Sequence, residues 1–114
     1  MSDRRAVVAE ALRVHGTLYA DERETLIRRW SRLNQRLQAF HNVTIDLYIR
    51  DRDANEHKVT LEVRADGFNT FVAKTSGRDL TGSLNEVRDD MVRQLNQAKE
   101  KREPKNNRRR RTTD

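Results

Sequence analysis

The chain predicts an α+β fold: a two-layer sandwich in the order β-α-β-β-β-α, a four-stranded sheet with two helices packed on one face. Two hydrophobic periods point to it. Leu26, Trp30, Leu33, Leu37 and Phe40 recur at spacings of four, three, four and three, one stripe of an amphipathic helix. Val43, Ile45, Leu47 and Ile49, then Val59, Leu61, Val63 and Ala65, alternate strictly with polar residues. That period gives strands with one apolar and one wet face. A sheet with a single apolar face needs a cover, and two striped helices supply it.

Taken in order, Val7 to His15 alternate imperfectly and predict a first strand closed by Gly16. The first helix begins near Asp21, where Asp21, Glu22 and Glu24 suit the positive end of the helix dipole. It runs through Phe40. The strand of Val43 to Arg50 ends in the polar turn Asp51–Glu56, and the next ends at Asp66-Gly67, so antiparallel hairpins are expected. Phe71, Ala73 and Thr75 line the inner face of a shorter strand. Asp79 is placed to cap the second helix, whose stripe is Leu80, Leu84, Val87, Met91, Leu95 and Ala98. Pro104 ends that helix. The division expected is a folded domain over 1–103 and a disordered basic tail over 104–114, which holds no apolar residue.

Charge is unevenly distributed. Of 24 basic and 18 acidic side chains, eight and three lie between Lys99 and Asp114, a net of +5 out of +6. Residues 1–98 are almost neutral. A basic block of this kind follows polyanions, and in a cytoplasm the abundant polyanion is RNA. There is no cysteine, hence no thiolate chemistry. No apolar run long enough for a leader or a membrane span occurs, and a cytoplasmic, monomeric protein is expected.

Little in the chain suggests catalysis. His15, His41 and His57 are scattered without metal-ligand spacing and are expected to be surface or turn histidines. Asp51 and Asp53 sit in a polar turn; Asp89 and Asp90 diverge on a helix. No phosphate-binding glycine loop is present. An enzyme, a cofactor, a metal site and a small-molecule substrate are not expected. With two candidate aromatics read as core and Tyr48 alone on the wet face, the sheet offers no aromatic pair for stacking single-stranded bases.

The first helix is more informative. With Leu26 at zero, Arg28, Arg29, Arg32 and Arg36 fall at about 200°, 300°, 240° and 280°, along one flank. From Ile27 to Phe40 no acid dilutes them. A solvated helix normally intersperses carboxylates for i,i+4 pairs. An arginine flank without them suits phosphate, which guanidinium groups grip with two hydrogen bonds. On the second helix Arg88, Arg93 and Lys99 are diluted by Glu86, Asp89 and Asp90. Lys99, Lys101 and Arg102 extend the basic character toward Arg108, Arg109, Arg110 and Arg111 in the tail.

These residues resemble the family of ribosome hibernation promoting factors and ribosome-associated inhibitors. The resemblance spans roughly Ala9 to Lys101. It rests on the element order and on three local matches in register. Arg23 followed by Arg29-Trp30-Ser31-Arg32-Leu33 looks like the family's first helix. Ala73 to Leu80, with Asp79-Leu80, looks like the passage from the fourth strand into the second helix. Ser83-Leu84-Asn85 and Arg93-Gln94-Leu95 look like its continuation. The resemblance implies binding to the small ribosomal subunit, or the whole ribosome, in the mRNA and tRNA channel near the decoding region. It also implies inhibition of translation under stress or in stationary phase. Carried over residue by residue, contacts with ribosomal RNA phosphates fall to Arg23, Arg29, Arg32 and Arg93; the helical flank adds Arg28 and Arg36. Thr81 stands where the family commonly has Tyr, Asp90 where it has Lys, and Ala20 where it has Pro. The chain resembles a short form without a second domain. The alternatives are a double-stranded-RNA-binding module, whose lysine cluster would fall on Arg78–Ser83, and a protein-interaction domain tethered to RNA by its tail.

Overall fold

The computed structural model describes residues 5–102. The expected disordered tail, 104–114, lies outside them. The described chain is α+β: four helical segments lie against one face of a four-stranded mixed sheet. In order these are α1 (Val7–Ala11), β1 (Leu12–His15), α2 (Ala20–Arg29), α3 (Ser31–Leu37), β2 (Thr44–Arg50), β3 (His57–Arg64), β4 (Phe71–Gly77) and α4 (Leu80–Arg102). The strands stand side by side in chain order. β2–β3 and β3–β4 are the expected antiparallel hairpins, whereas β1 pairs parallel to β2 with Leu12 opposite Ile45 and Val14 opposite Leu47. A parallel neighbour needs a long crossover, and α2 and α3 form it.

Three boundaries differ from the sequence expectation. Residues 7–11 form a short helix instead of the first half of β1. The stretch Ala-Glu-Ala is made of good helix formers, and the turn buries Val7 and Val8 while the Val8 N–H donates to Asn34 Oδ1 at 3.1 Å. The first helix is broken at Trp30, whose ψ of 22° leaves the helical region. Ser31, a residue type that competes for backbone hydrogen bonds inside helices, follows the break. Finally, α3 ends at Leu37, and Gln38, Ala39 and Phe40 tighten into i→i−3 bonds before Asn42 takes a left-handed φ of 53°. Phe40 is buried from this turn rather than from a helix.

The core is the two expected stripes closed on the alternating strand residues. Trp30, Leu33, Leu37, Phe40, Ile45, Leu47, Leu61, Val63, Met91 and Leu95 are all fully buried in one cluster. Each such aliphatic contributes roughly 1.5–3 kcal/mol by leaving water. Asp79 caps α4 as expected, its Oδ2 accepting the Gly82 N–H at 3.3 Å. His57 departs from expectation. It is 3% exposed, and its Nε2 lies 2.7 Å from Ser83 Oγ, tying the start of β3 to the first turn of α4. Among the described residues no helix is long and apolar enough to cross a membrane.

Candidate nucleic-acid interface

Exposed basic side chains lie on α2 and α3, where Arg29 and Arg32 face α4, and on the open face of the sheet. The helical flank follows from the stripe. Because Leu26, Trp30, Leu33 and Leu37 turn inward, the residues offset from them turn out, and Arg28, Arg29, Arg32 and Arg36 all reach the surface. The break at Trp30 does not bury any of them.

Their pairing state distinguishes them. Among the described residues, no carboxylate lies in salt-bridge range of Arg28, Arg29, Arg32 or Arg36. Arg28 only reaches Thr25 Oγ1 at 3.5 Å. On α4 the arginines are already engaged. Arg93 binds Asp90 at 2.5 Å, and Arg88 binds Asp89 at 2.8 Å while also donating to the Arg29 carbonyl at 3.2 Å. The Asp89 carboxyl is held below its ordinary value, first by the hydrogen bond from Arg88 and further by the charges of Arg88 and Arg32.

Arg32, Arg88 and Arg93 therefore line one groove between α3 and α4, of about 430 Å³, with Asp89 and Glu100 among its walls. The groove carries both signs, and its net positive character comes from the α3 side. Arg88, which the sequence pattern alone did not place in the interface, is the side chain that ties α4 to the end of α2 through the Arg29 carbonyl. Its signal was available: an arginine one turn from the buried Leu84 stripe has the reach to cross to a neighbouring helix.

The remaining expected contacts scatter. Arg23 is half-buried and donates to the Leu12 carbonyl at 3.4 Å, so it braces α2 against β1 instead of joining the flank. The Lys99 ammonium sits 5.7 Å from the Phe40 ring centre, over the turn that follows α3. Lys101 is exposed beside Gly67 and Phe68 at the β3–β4 turn. Arg102 closes α4, and its side chain is outside the described set, as are Arg108, Arg109, Arg110 and Arg111.

The open sheet face was not anticipated as a basic surface. Arg13, Arg50, Lys58, Arg64 and Lys74 all project from it and are exposed. One carboxylate, Asp46, is sunk among them at 3% exposure. Arg13 Nε lies 3.2 Å, His15 Nε2 2.9 Å and Arg64 Nη1 3.8 Å from its oxygens. The hydrogen bond from His15, then those of Arg13, holds the Asp46 carboxyl below its ordinary value against the opposing effect of burial. His15 in turn stacks on Tyr48, ring centres 4.4 Å apart and planes 13° from parallel. An aromatic pair thus exists on the sheet. The sequence hid it because the pair forms only through the parallel β1–β2 register, in which His15 stands opposite Tyr48.

Beside α2, Glu22 accepts the Tyr19 N–H at 2.9 Å and grips Arg52 through both carboxylate oxygens. Its carboxyl is held low chiefly by Arg52. Among the described residues no group of three or more potential ligands is arranged to hold a metal ion. No protein-family model matches the chain, and no curated protein matches it in sequence.

Proposed function

We propose that this protein is a short-form ribosome hibernation factor, which binds the small ribosomal subunit in the mRNA and tRNA channel and stops translation under stress in the cytoplasm. The observation that carries the reading is the unpaired arginine flank of α2 and α3. Among the described residues these four surface guanidinium groups have no carboxylate in salt-bridge range, which leaves them open to an external anion. Ribosomal RNA presents the complementary phosphates at high density, and each phosphate bound would release counterions. The element order and the residues that resemble the hibernation family add to this reading.

The flank also suggests how the two helices divide the work. Arg28, Arg29, Arg32 and Arg36 meet phosphates without first breaking an ion pair. Arg88 and Arg93 must exchange Asp89 and Asp90 for phosphate, or stay as the scaffold that holds α4 against α2 and α3. The second role fits better for Arg88, which is only 21% exposed in its side chain. Recognition here is of backbone phosphate arranged in space, with shape complementarity supplying selectivity.

Co-sedimentation tests the proposal. The full chain, mixed with purified small subunits, whole ribosomes or a long RNA duplex, is expected to pellet with the first two at near-physiological salt and to inhibit translation in a cell-free system. Equal binding to any duplex RNA without preference for ribosomes would contradict it.

A further inference from the structure

The open face of the sheet carries a charge arrangement that the fold does not require. Arg50 on β2 stands directly opposite Lys58 on β3, and like charges so placed repel across a ladder. Asp51 offsets this only in part, at 3.9 Å from Lys58. In the neighbouring row, His15, Tyr48, Thr60 and Lys74 follow one another across the four strands. Among the described residues, neither the Arg50 nor the Lys74 side chain has a hydrogen-bonded or ion-paired partner. Tyr48, Arg50, Lys58, Thr60, Lys74 and Ser76 line one shallow basin of about 710 Å³. Glu62 is the carboxylate among its walls, and Arg64 lies 3.6 Å from it.

We infer that this face is a second binding surface, for a short single-stranded RNA segment, distinct from the arginine flank on the opposite layer. Charge complementarity selects a polyanion: an anion placed between Arg50, Lys58 and Lys74 removes the repulsion that the free protein carries. The aromatic pair selects the single strand. The His15 ring, fixed by Asp46, lies parallel over one face of Tyr48, and Tyr48 itself lines the basin beside the cations. Bases in a single strand have faces free to stack on such a surface, while those in a duplex are already stacked on each other. Four strands at about 4.8 Å spacing make a platform about 14 Å across, room for two or three nucleotides. Thr60 and Ser76 supply hydroxyls between the cations for base edges or ribose. The inference does not rest on the ribosomal reading, because it uses none of the residues of α2, α3 or α4.

The test uses the full chain, so that residues 103–114 contribute equally to every variant. Binding of labelled decauridylate and of a ten-base-pair RNA duplex is measured by fluorescence anisotropy. The triple variant Arg50→Gln, Lys58→Gln, Lys74→Gln is expected to weaken decauridylate binding about tenfold or more. Tyr48→Leu is expected to weaken decauridylate on the order of tenfold and to leave the duplex unchanged. The combined variant Arg28→Gln, Arg29→Gln, Arg32→Gln, Arg36→Gln should leave decauridylate within twofold while reducing ribosome binding, which separates the two surfaces. Amide chemical-shift mapping on the unaltered chain guards against variants that misfold, and is expected to move Tyr48, Thr60 and Lys74. Shifts confined to the helices or to residues beyond 102 would overturn the inference. So would a triple variant that binds decauridylate within twofold of the original, or a Tyr48→Leu effect equal on both RNAs.

Discussion

Asp46 lies on the wet face of β2 and is nevertheless one of the most buried polar residues described. Alternation alone places it in solvent; what buries it is the pair of arginines and the histidine that fold over it. Its lowered carboxyl pKa makes the arrangement pH-dependent. In the unfolded chain Asp46 titrates near its ordinary 3.8, and in the fold it titrates lower. Its contribution is therefore complete above about pH 4 and is lost as pH falls through the lower, folded value. Asp46→Asn is expected to destabilise the protein by about 1–3 kcal/mol near neutral pH, since the buried negative charge beside Arg13 is lost and one accepting oxygen becomes an NH2 that faces donors. In urea denaturation followed by circular dichroism, the gap between the two proteins should narrow below about pH 4. A gap that stays constant down to about pH 2 would show that the carboxylate charge is not what Arg13 and His15 respond to.

At the scale of elements, what was legible in the sequence is what local period can encode. β2, β3 and α4 carry long regular patterns, and their expected bounds and facings match the structure closely. The arginine flank was legible for the same reason, since side-chain direction on a helix follows from spacing. The break at Trp30 was not, because the apolar stripe passes through it without a change of spacing and no Pro or Gly marks it. Nor was the parallel pairing of β1, whose partner is set by how the crossover packs. Gly16 is a trace of that pairing. It has a φ of +125°, and a Cβ there would stand 2.3 Å from the Ile49 carbonyl oxygen, so β1 ends where its backbone must pass close to β2. Gly16→Ala is expected to cost on the order of 2 kcal/mol or more, through strain and the forced separation of β1 from β2. Hydrogen exchange should then show faster exchange in residues 12–15 than elsewhere in the sheet. Unchanged protection there would mean that the β1 edge tolerates the displacement.

Across the whole molecule, charge is distributed by layer. Among the described residues, the helical layer presents arginines without carboxylate partners along α2 and α3 and arginines already paired along α4; the sheet layer presents a basic basin with an aromatic pair. Most of the formal excess charge nevertheless lies in residues 99–114, which can accelerate association with any polyanion without choosing among them. Selection must come from cations fixed in space by the core, and the unpaired flank of α2 and α3 meets that requirement. The role of the flank is tested most directly by the salt dependence of small-subunit binding for the chain in which Arg28, Arg29, Arg32 and Arg36 are all changed to Gln. Weaker binding is expected, with a log–log salt slope reduced by about 1 for each phosphate that the variant no longer neutralises. An affinity and a slope equal to those of the unaltered chain at several salt concentrations would contradict it.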